Sequence, residues 1–168
     1  MTDDYGGALG AFPYAFGASG SLLFRSYVVL GGLLTAAVTL VFVAALIGVI
    51  ADTTSGGGGT LTLSRSFFAV VGLFVIAPLV APVLFVARHH RREGGDDRYD
   101  AALAAAGYLF VVALYVGLVI SVPPAQQTTP TGALAPVVAA LYALPQRAGL
   151  GPPVAAALLI PLLHRWLR

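Results

Sequence analysis

The chain has 168 residues, of which 58% are hydrophobic and 10% are charged, with a formal net charge of +2. Soluble domains carry about a quarter of their residues as charges, and disordered chains are poor in apolar residues. The composition excludes both classes and indicates a membrane protein with several spans. Because the chain has no cysteine, disulfides and thiolate chemistry are also excluded.

Residues 1–26 are rich in aromatic residues and glycine, and they begin with two aspartates rather than with basic residues. A cleaved signal peptide has a basic start followed by an apolar run, so none is expected here. The aromatic rings, interrupted by glycines and by Pro13, predict an interfacial segment at the depth of the lipid headgroups.

Three stretches, at 27–51, 67–87 and 101–122, contain no Asp, Glu, Arg or His. Each exceeds the roughly 20 apolar residues that a helix needs to cross a hydrocarbon core of about 30 Å. Each is also apolar around its whole circumference, as a lipid-embedded helix is. We therefore predict three membrane-spanning helices, the second kinked by Pro78 and Pro82.

The last third of the chain predicts a short helix at 133–146 and a further span at 152–167, separated by a stretch rich in proline and glycine. Two architectures remain open at this point. Either the short helix lies at the surface or re-enters the membrane, which gives four crossings, or both helices cross, which gives five.

Arginine placement favours four crossings. The loop 88–100 carries four arginines and is expected to face the cytoplasm. Four crossings place seven arginines inside and two outside, whereas five crossings place six inside and three outside. The predicted fold is thus an all-α integral membrane bundle, one helical domain at 27–168 in the cell membrane, with both termini in the cytoplasm.

The uncharged spans argue against an intramembrane proton relay or an aspartyl protease, and we predict no catalytic residue, no metal ligand and no cofactor. His89 and His90 are adjacent, so on a helix they point about 100° apart and are poorly placed to share a metal. Four arginines are expected to contact anionic lipid headgroups, with an affinity that falls as salt rises: Arg88, Arg91, Arg92 and Arg98.

A second group of polar residues lies inside the spans or at the C-terminal break. Broken helices expose backbone groups that bind substrates or ions in transporters, which makes Gln146 and Arg147 candidate contacts. The polar side chains of Thr39 and Tyr115, inside the spans, are two further candidates. The competing interpretation is that such side chains only hold helices together. In particular, Thr35 and Tyr108 are predicted to lie at similar depth and to share a hydrogen bond.

Small residues recur every four positions in two spans, at Ala44 and Gly48 and at Ala113, Gly117 and Ser121. Such faces let helices approach closely, either within one chain or between chains.

The segments AFPYAFGASGSLLFRSYVVLGGLL, SRSFFAVVGLFVIAPLVAP and PPAQQTTPTGALAPVVAALYALP resemble small multi-span membrane proteins encoded by haloarchaea. The resemblance extends over most of the chain and implies a membrane location and a salt-adapted composition. That family has no assigned activity, so the resemblance implies no functional residues.

The leading hypothesis is a non-enzymatic accessory or oligomeric membrane component. Its partners would be the anionic bilayer and a second copy or another membrane protein, without nucleic acid. A small permease or channel-like transporter is the alternative, and a lipid-acting membrane enzyme is a more distant one.

Overall fold

The computed structural model describes residues 7–53 and 59–167, and this part of the chain is helical, without strands. The helices are α1 (Gly7–Ala18), α2 (Leu22–Thr53), α3 (Gly59–Arg92), α4 (Asp97–Ile120), α5 (Ala135–Tyr142) and α6 (Gly151–Trp166). Short 3-10 turns at Pro124–Gln126 and Gln146–Leu150 precede α5 and α6.

Four helical stretches are long and apolar enough to span a membrane: Leu22–Ala51, Ala69–Arg92, Asp97–Ile120 and Gln146–Trp166. They confirm the predicted all-α fold and contain most of each predicted span. The eight residues of α5 extend only about 12 Å, far less than the hydrocarbon core of about 30 Å. Among the described helices, α5 is thus too short to cross a membrane on its own.

Contacts between the four long helices show that successive helices run in opposite directions. Tyr27 of α2 donates its hydroxyl to the carbonyl of Leu79 in α3, at 2.7 Å, while Phe42, further along α2, contacts Gly72, earlier in α3. The start of α4 lies beside the end of α3, and the end of α6 lies beside the start of α4. One end of the bundle therefore carries the start of α2, the end of α3, the start of α4 and the end of α6.

We call this the arginine end, because most described arginines lie there. They are Arg25, Arg88, Arg91, Arg92, Arg98 and Arg165. Arg147, in the turn before α6, lies at the opposite end.

Helix α1 runs antiparallel to the first half of α2. The ring of Phe16 lies 5.6 Å from the guanidinium of Arg25, and Phe12 lies against Gly32. The helix packs mainly against α3, and its small residues Ala11 and Ala15 are fully buried. The sequence analysis predicted an interfacial segment and no helix here, and the structure shows that small residues one turn apart give α1 a face that packs into the bundle.

The core lies in the half of the bundle nearest the arginine end. Its largest fully buried apolar and aromatic side chains are Phe24, Tyr27, Leu79, Val83, Tyr99, Leu103, Phe110 and Ile160. Beyond Gly31, α2 has no buried residue up to Ala51. The distal half of α2 is thus an apolar surface.

The stripe Ala113, Gly117 and Ser121 brings α4 against the turn before α6. A Cβ atom added at Gly117 would collide with the carbonyl oxygen of Gly149 and lie 3.2 Å from Pro153. This stripe therefore acts within the chain, which is one of the two outcomes that the sequence left open.

Candidate functional site at the arginine end

The three histidines of the chain meet at the arginine end, where α3, α4 and α6 come together. His89 and His90 are in the last turn of α3, and His164 is in the last turn of α6. Between them is the first turn of α4, which carries Tyr99 and Asp100. The sequence shows three separate histidines, and the fold makes them one cluster.

The buried carboxylate of Asp100 pairs with His90. The Nε2 atom of His90 lies 2.8 Å from Oδ2 and 3.1 Å from Oδ1, and Asp100 is fully buried. A carboxylate without water needs a strong hydrogen-bond partner, because burial removes its hydration. The pair therefore fixes the start of α4 against the end of α3.

Sequence reasoning placed Asp100 in a loop and did not predict this pair. The signal that would have found it is Asp96, whose side chain accepts the backbone N–H of Arg98 at 2.9 Å and caps α4. An aspartate in this position is a strong helix start signal. It places the helix start four residues earlier than the apolar pattern does, so Asp100 falls inside α4.

The second link in the cluster joins α4 to α6. The hydroxyl of Tyr99 and the Nδ1 atom of His164 are 2.5 Å apart. The His164 ring stacks on Phe85, with centroids 4.3 Å apart and planes 4° apart, and the His89 ring lies 4.2 Å from that of Tyr99. Hydrogen bonding and ring stacking thus hold the ends of α3 and α6 to the start of α4.

Two further carboxylates at this end also have partners within the protein. The backbone N–H of Gly20 donates to Asp97 Oδ1 at 3.1 Å, which ties the α1–α2 connection to the start of α4. Glu93 Oε2 lies 3.3 Å from His89 Nδ1, an ion-pair distance when the histidine is protonated. Both carboxylates are exposed, and both have partners within the protein.

The predicted lipid-contacting arginines are exposed and lie together at this end, Arg88, Arg91 and Arg92 on the last turns of α3 and Arg98 on the first turn of α4. Arg88 and Arg92 form no hydrogen bond or ion pair with any residue that the structure describes. Together with His89, Glu93 and His164, they line a cleft of about 10 Å³ between α3 and α6.

The cluster does not have the arrangement of a metal centre. Within residues 7–53 and 59–167, no group of three or more His, Asp or Glu side chains has the spacing of metal ligands. His89 points to Tyr99 and Glu93, whereas His90 points to Asp100. What the arrangement offers chemically is two exposed guanidinium groups and the ring of His164 beside a small cleft.

The four candidate substrate or ion contacts do not form one site. Tyr115 is 68% exposed on the outer surface of α4, and Thr39 is exposed on α2. Gln146 and Arg147 are exposed in the 3-10 turn at the end opposite the arginine end. The structure therefore leaves these residues on three different surfaces.

The predicted hydrogen bond between Thr35 and Tyr108 is wrong. Tyr108 instead bonds the hydroxyl of Ser26, at 2.8 Å, and the buried Thr35 hydroxyl has no partner among the described residues. The physical reason is the start of α2 at Leu22, five residues earlier than predicted, which brings Ser26 into the helix at the depth of Tyr108.

Three open grooves run along the helix surfaces. They have volumes of about 280, 530 and 430 Å³ and lie between α2 and α3, between α1 and α2, and between α4 and α6. Their walls are apolar apart from the hydroxyls of Thr35 and Thr39. Such grooves suit lipid chains or another helix better than a polar solute.

The described part of the chain is an all-helical bundle with a polar cluster at one end. Four of its helices have the length and apolarity of membrane spans, which points to a membrane location. The whole chain, residues 1–168, matches a family model described as a domain of unknown function, DUF8056, and the protein belongs to that family. No curated protein and no solved structure matches the chain.

Proposed function

We propose that the protein is a non-enzymatic, multi-pass component of the cell membrane that associates through α2 with a second copy or with another membrane protein. The observation that carries this proposal is an exposed face with small residues on the half of α2 farther from the arginine end. Ala44 and Gly48 are exposed there, and a Cβ atom added at Gly48 would have no neighbour within 4 Å.

The fold itself supports this interpretation of the α2 face. The same four-residue spacing of small side chains occurs in α4, where Gly117 meets Gly149 and brings two segments into close contact. Helices in a bilayer associate chiefly through such close backbone approach, because lipid chains are as apolar as the side chains. The Ala44 and Gly48 face has the same pattern, and none of the described helices covers it.

The proposal includes an orientation in which the arginine end faces the cytoplasm. Its support is the segregation of charge, since the opposite end carries Arg65 and Arg147, and the arginine end carries Arg25, Arg88, Arg91, Arg92, Arg98 and Arg165. Positive residues concentrate on the cytoplasmic side of membrane proteins. Both termini are then cytoplasmic, and the resemblance to haloarchaeal proteins stays a prediction.

The test is the mass of the complex released from native membranes in a mild detergent, measured by native mass spectrometry. We expect a dimer or a stoichiometric complex with a second protein, and we expect Gly48→Leu to reduce it to the monomer. Ala105→Leu is the matched control, because it places the same side chain on an exposed position of α4. A wild-type protein that is monomeric throughout would contradict the proposal.

Neither alternative function has comparable support among the described residues. A permease or channel is expected to bring its polar contacts to one pathway, yet Thr39, Tyr115 and Arg147 lie apart. A lipid-acting enzyme needs acid and base groups facing a substrate, whereas Asp100 is fully buried against His90. Association is therefore the function that the geometry supports best.

A further inference from the structure

The segment 88–100 is balanced in formal charge, with four arginines and four carboxylates, so its sequence alone does not favour an anion. In the structure, the carboxylates have partners within the protein, whereas two of the arginines have none among the described residues. All four carboxylates face backbone N–H groups or histidines of the protein: Glu93, Asp96, Asp97 and Asp100. Asp100 is buried, whereas Glu93, Asp96 and Asp97 are exposed but already have partners in the protein, so the arginines without partners are the groups left to bind an anion.

Arg88 and Arg92 are the focus of this positive surface. They lie one turn apart near the end of α3, so their side chains leave the helix in similar directions. Both are exposed, and neither has a partner among the described residues. Two unpaired guanidinium groups side by side match the geometry of a phosphate, whose oxygens accept paired N–H bonds.

The cleft beside the two arginines limits the ligand. Its volume of about 10 Å³ holds one water-sized group, which corresponds to a single phosphate oxygen. His164 forms one wall and is held there by the Tyr99 hydroxyl and the Phe85 ring. The rest of a phosphate would stay at the surface, under the arginines.

The surroundings of the cleft are those of a membrane interface. Trp166, two residues beyond His164, is 78% exposed, and Leu167 is 45% exposed. Tryptophan side chains at the ends of spanning helices lie at the headgroup level of a bilayer. The cleft therefore lies next to the level at which lipid phosphates are found in a bilayer.

From this juxtaposition we propose that Arg88, Arg92 and His164 form a saturable binding site for the phosphate of an anionic phospholipid headgroup. Arg88 and Arg92 hold the phosphate, and Tyr99 is a positioning residue that keeps His164 at the cleft wall. Glu93 also lines the cleft, and its charge opposes an anion. The site goes beyond the proposed association through α2 and does not depend on it.

The chain offers a built-in probe for this site, because Trp166 is its single tryptophan. The experiment measures quenching of Trp166 fluorescence by phosphatidylglycerol with brominated chains, titrated into phosphatidylcholine vesicles that contain the protein. We expect stronger quenching than with brominated phosphatidylcholine, with saturation. Equal quenching by the two lipids would overturn the proposal.

Matched variants separate a defined site from general attraction of charge. Arg88→Gln and Arg92→Gln should each weaken the preference for phosphatidylglycerol about fivefold, while Arg98→Gln should leave it nearly unchanged. Arg98 is exposed at the same end and outside the cleft, so it provides the same loss of charge. An equal loss in all three variants would overturn the site.

Two further variants guard against effects of misfolding. Glu93→Gln should tighten the preference, because it removes the opposing charge, and a gain in affinity does not arise from an unfolded protein. Tyr99→Phe should weaken the preference with no change in charge, since His164 then loses its hydrogen bond. An unchanged preference in both variants would contradict the assigned cleft.

The source of the phosphate is tested by competition. Inorganic phosphate at millimolar concentration should leave the preference for phosphatidylglycerol intact, because a free ion lacks the chains that hold a headgroup at the interface. Complete displacement by inorganic phosphate would overturn the lipid assignment and show a site for the free anion.

Discussion

Gly107 lets the aromatic ring of Tyr27 lie directly on the backbone of α4. A Cβ atom added at this glycine would lie 2.6 Å from the Tyr27 hydroxyl oxygen, which is too close for any relaxed contact. The same hydroxyl bonds the carbonyl of Leu79, so Gly107 positions a contact that joins α2, α3 and α4. One missing methyl group therefore determines how three helices meet.

Gly107→Ala is expected to destabilise the protein by about 1–3 kcal/mol, because the new methyl group forces the Tyr27 ring away from Leu79. The measurement is the free energy of unfolding in mixed micelles titrated with sodium dodecyl sulfate. Gly17→Ala is the control, since its Cβ has no neighbour within 4 Å and Gly17 lies outside the proposed association face. Equal stability of the two variants would show that Tyr27 does not need this space.

The pair His90 and Asp100 is the second residue-scale feature open to a direct test. Removal of either partner leaves the other buried, so Asp100→Ala and His90→Ala should each cost about 3–5 kcal/mol. The double variant should cost clearly less than the sum, because the two losses share one interaction. Strict additivity in the same unfolding assay would mean that the two side chains do not interact.

At the scale of elements, the turn before α6 packs closely against α4 because the residues at the contact, Gly149 and Gly117, have no side chains. A Cβ atom at Gly149 would lie 2.7 Å from the carbonyl of Gly117 and would collide with the Ser121 hydroxyl. Ser121 itself bonds the carbonyl of Gly117 at 2.8 Å. The break in the C-terminal helix thus places a backbone segment where a regular side chain has no room.

Gly149→Ala should therefore separate the turn from α4 and lower the thermal midpoint of unfolding in detergent by several degrees. Gly151→Ala, two residues along, should have little effect, since nothing lies within 4 Å of its Cβ. If both variants melted with the wild type, the close approach of this turn to α4 would not contribute to stability.

How far the sequence predicts these elements depends on the physical signal that each one carries. The long spans are predictable, because the length of an apolar stretch is sufficient evidence for a membrane helix. Helix α1 is not, since 12 residues interrupted by glycine and Pro13 become a helix through packing against α3. The apolar pattern alone puts the start of α4 four residues too late, because the residue that starts this helix is the polar cap Asp96.

The candidate site, too, is only partly predictable, because some of its residues are far apart in the sequence. The arginines were predictable as a group, because they are close together in the sequence. The link between Tyr99 and His164 was not, since 65 residues separate them and only the return of α6 brings them together. Nor does the sequence reveal that Asp100 is buried against His90, because a buried and an exposed aspartate look alike in a sequence.

At the scale of the whole molecule, the number of membrane crossings is the property that can be tested directly. Four crossings place Thr128 and Gln146, on either side of α5, at the same membrane surface, whereas five crossings place them at opposite surfaces. Both side chains are exposed, and the chain has no cysteine of its own. Single-cysteine variants at these positions therefore report cleanly on the two architectures.

We expect a membrane-impermeant thiol reagent to label Thr128→Cys and Gln146→Cys from the same side of sealed membranes, and to label Leu167→Cys from the other side. The measurement is the mass shift of the protein after labelling in intact and opened vesicles. Labelling of positions 128 and 146 from opposite sides would establish five crossings.

The four spanning stretches do not have equal lengths. At 30 residues, Leu22–Ala51 measures about 45 Å, while the other three have 24, 24 and 21 residues and measure about 32–36 Å. A single hydrocarbon thickness cannot match all four, so α2 must tilt further than its neighbours or the bilayer must thicken around it. Stability measured in lipids of increasing chain length should therefore pass through a maximum near the thickness that matches the three shorter stretches, rather than rise until the longest is matched.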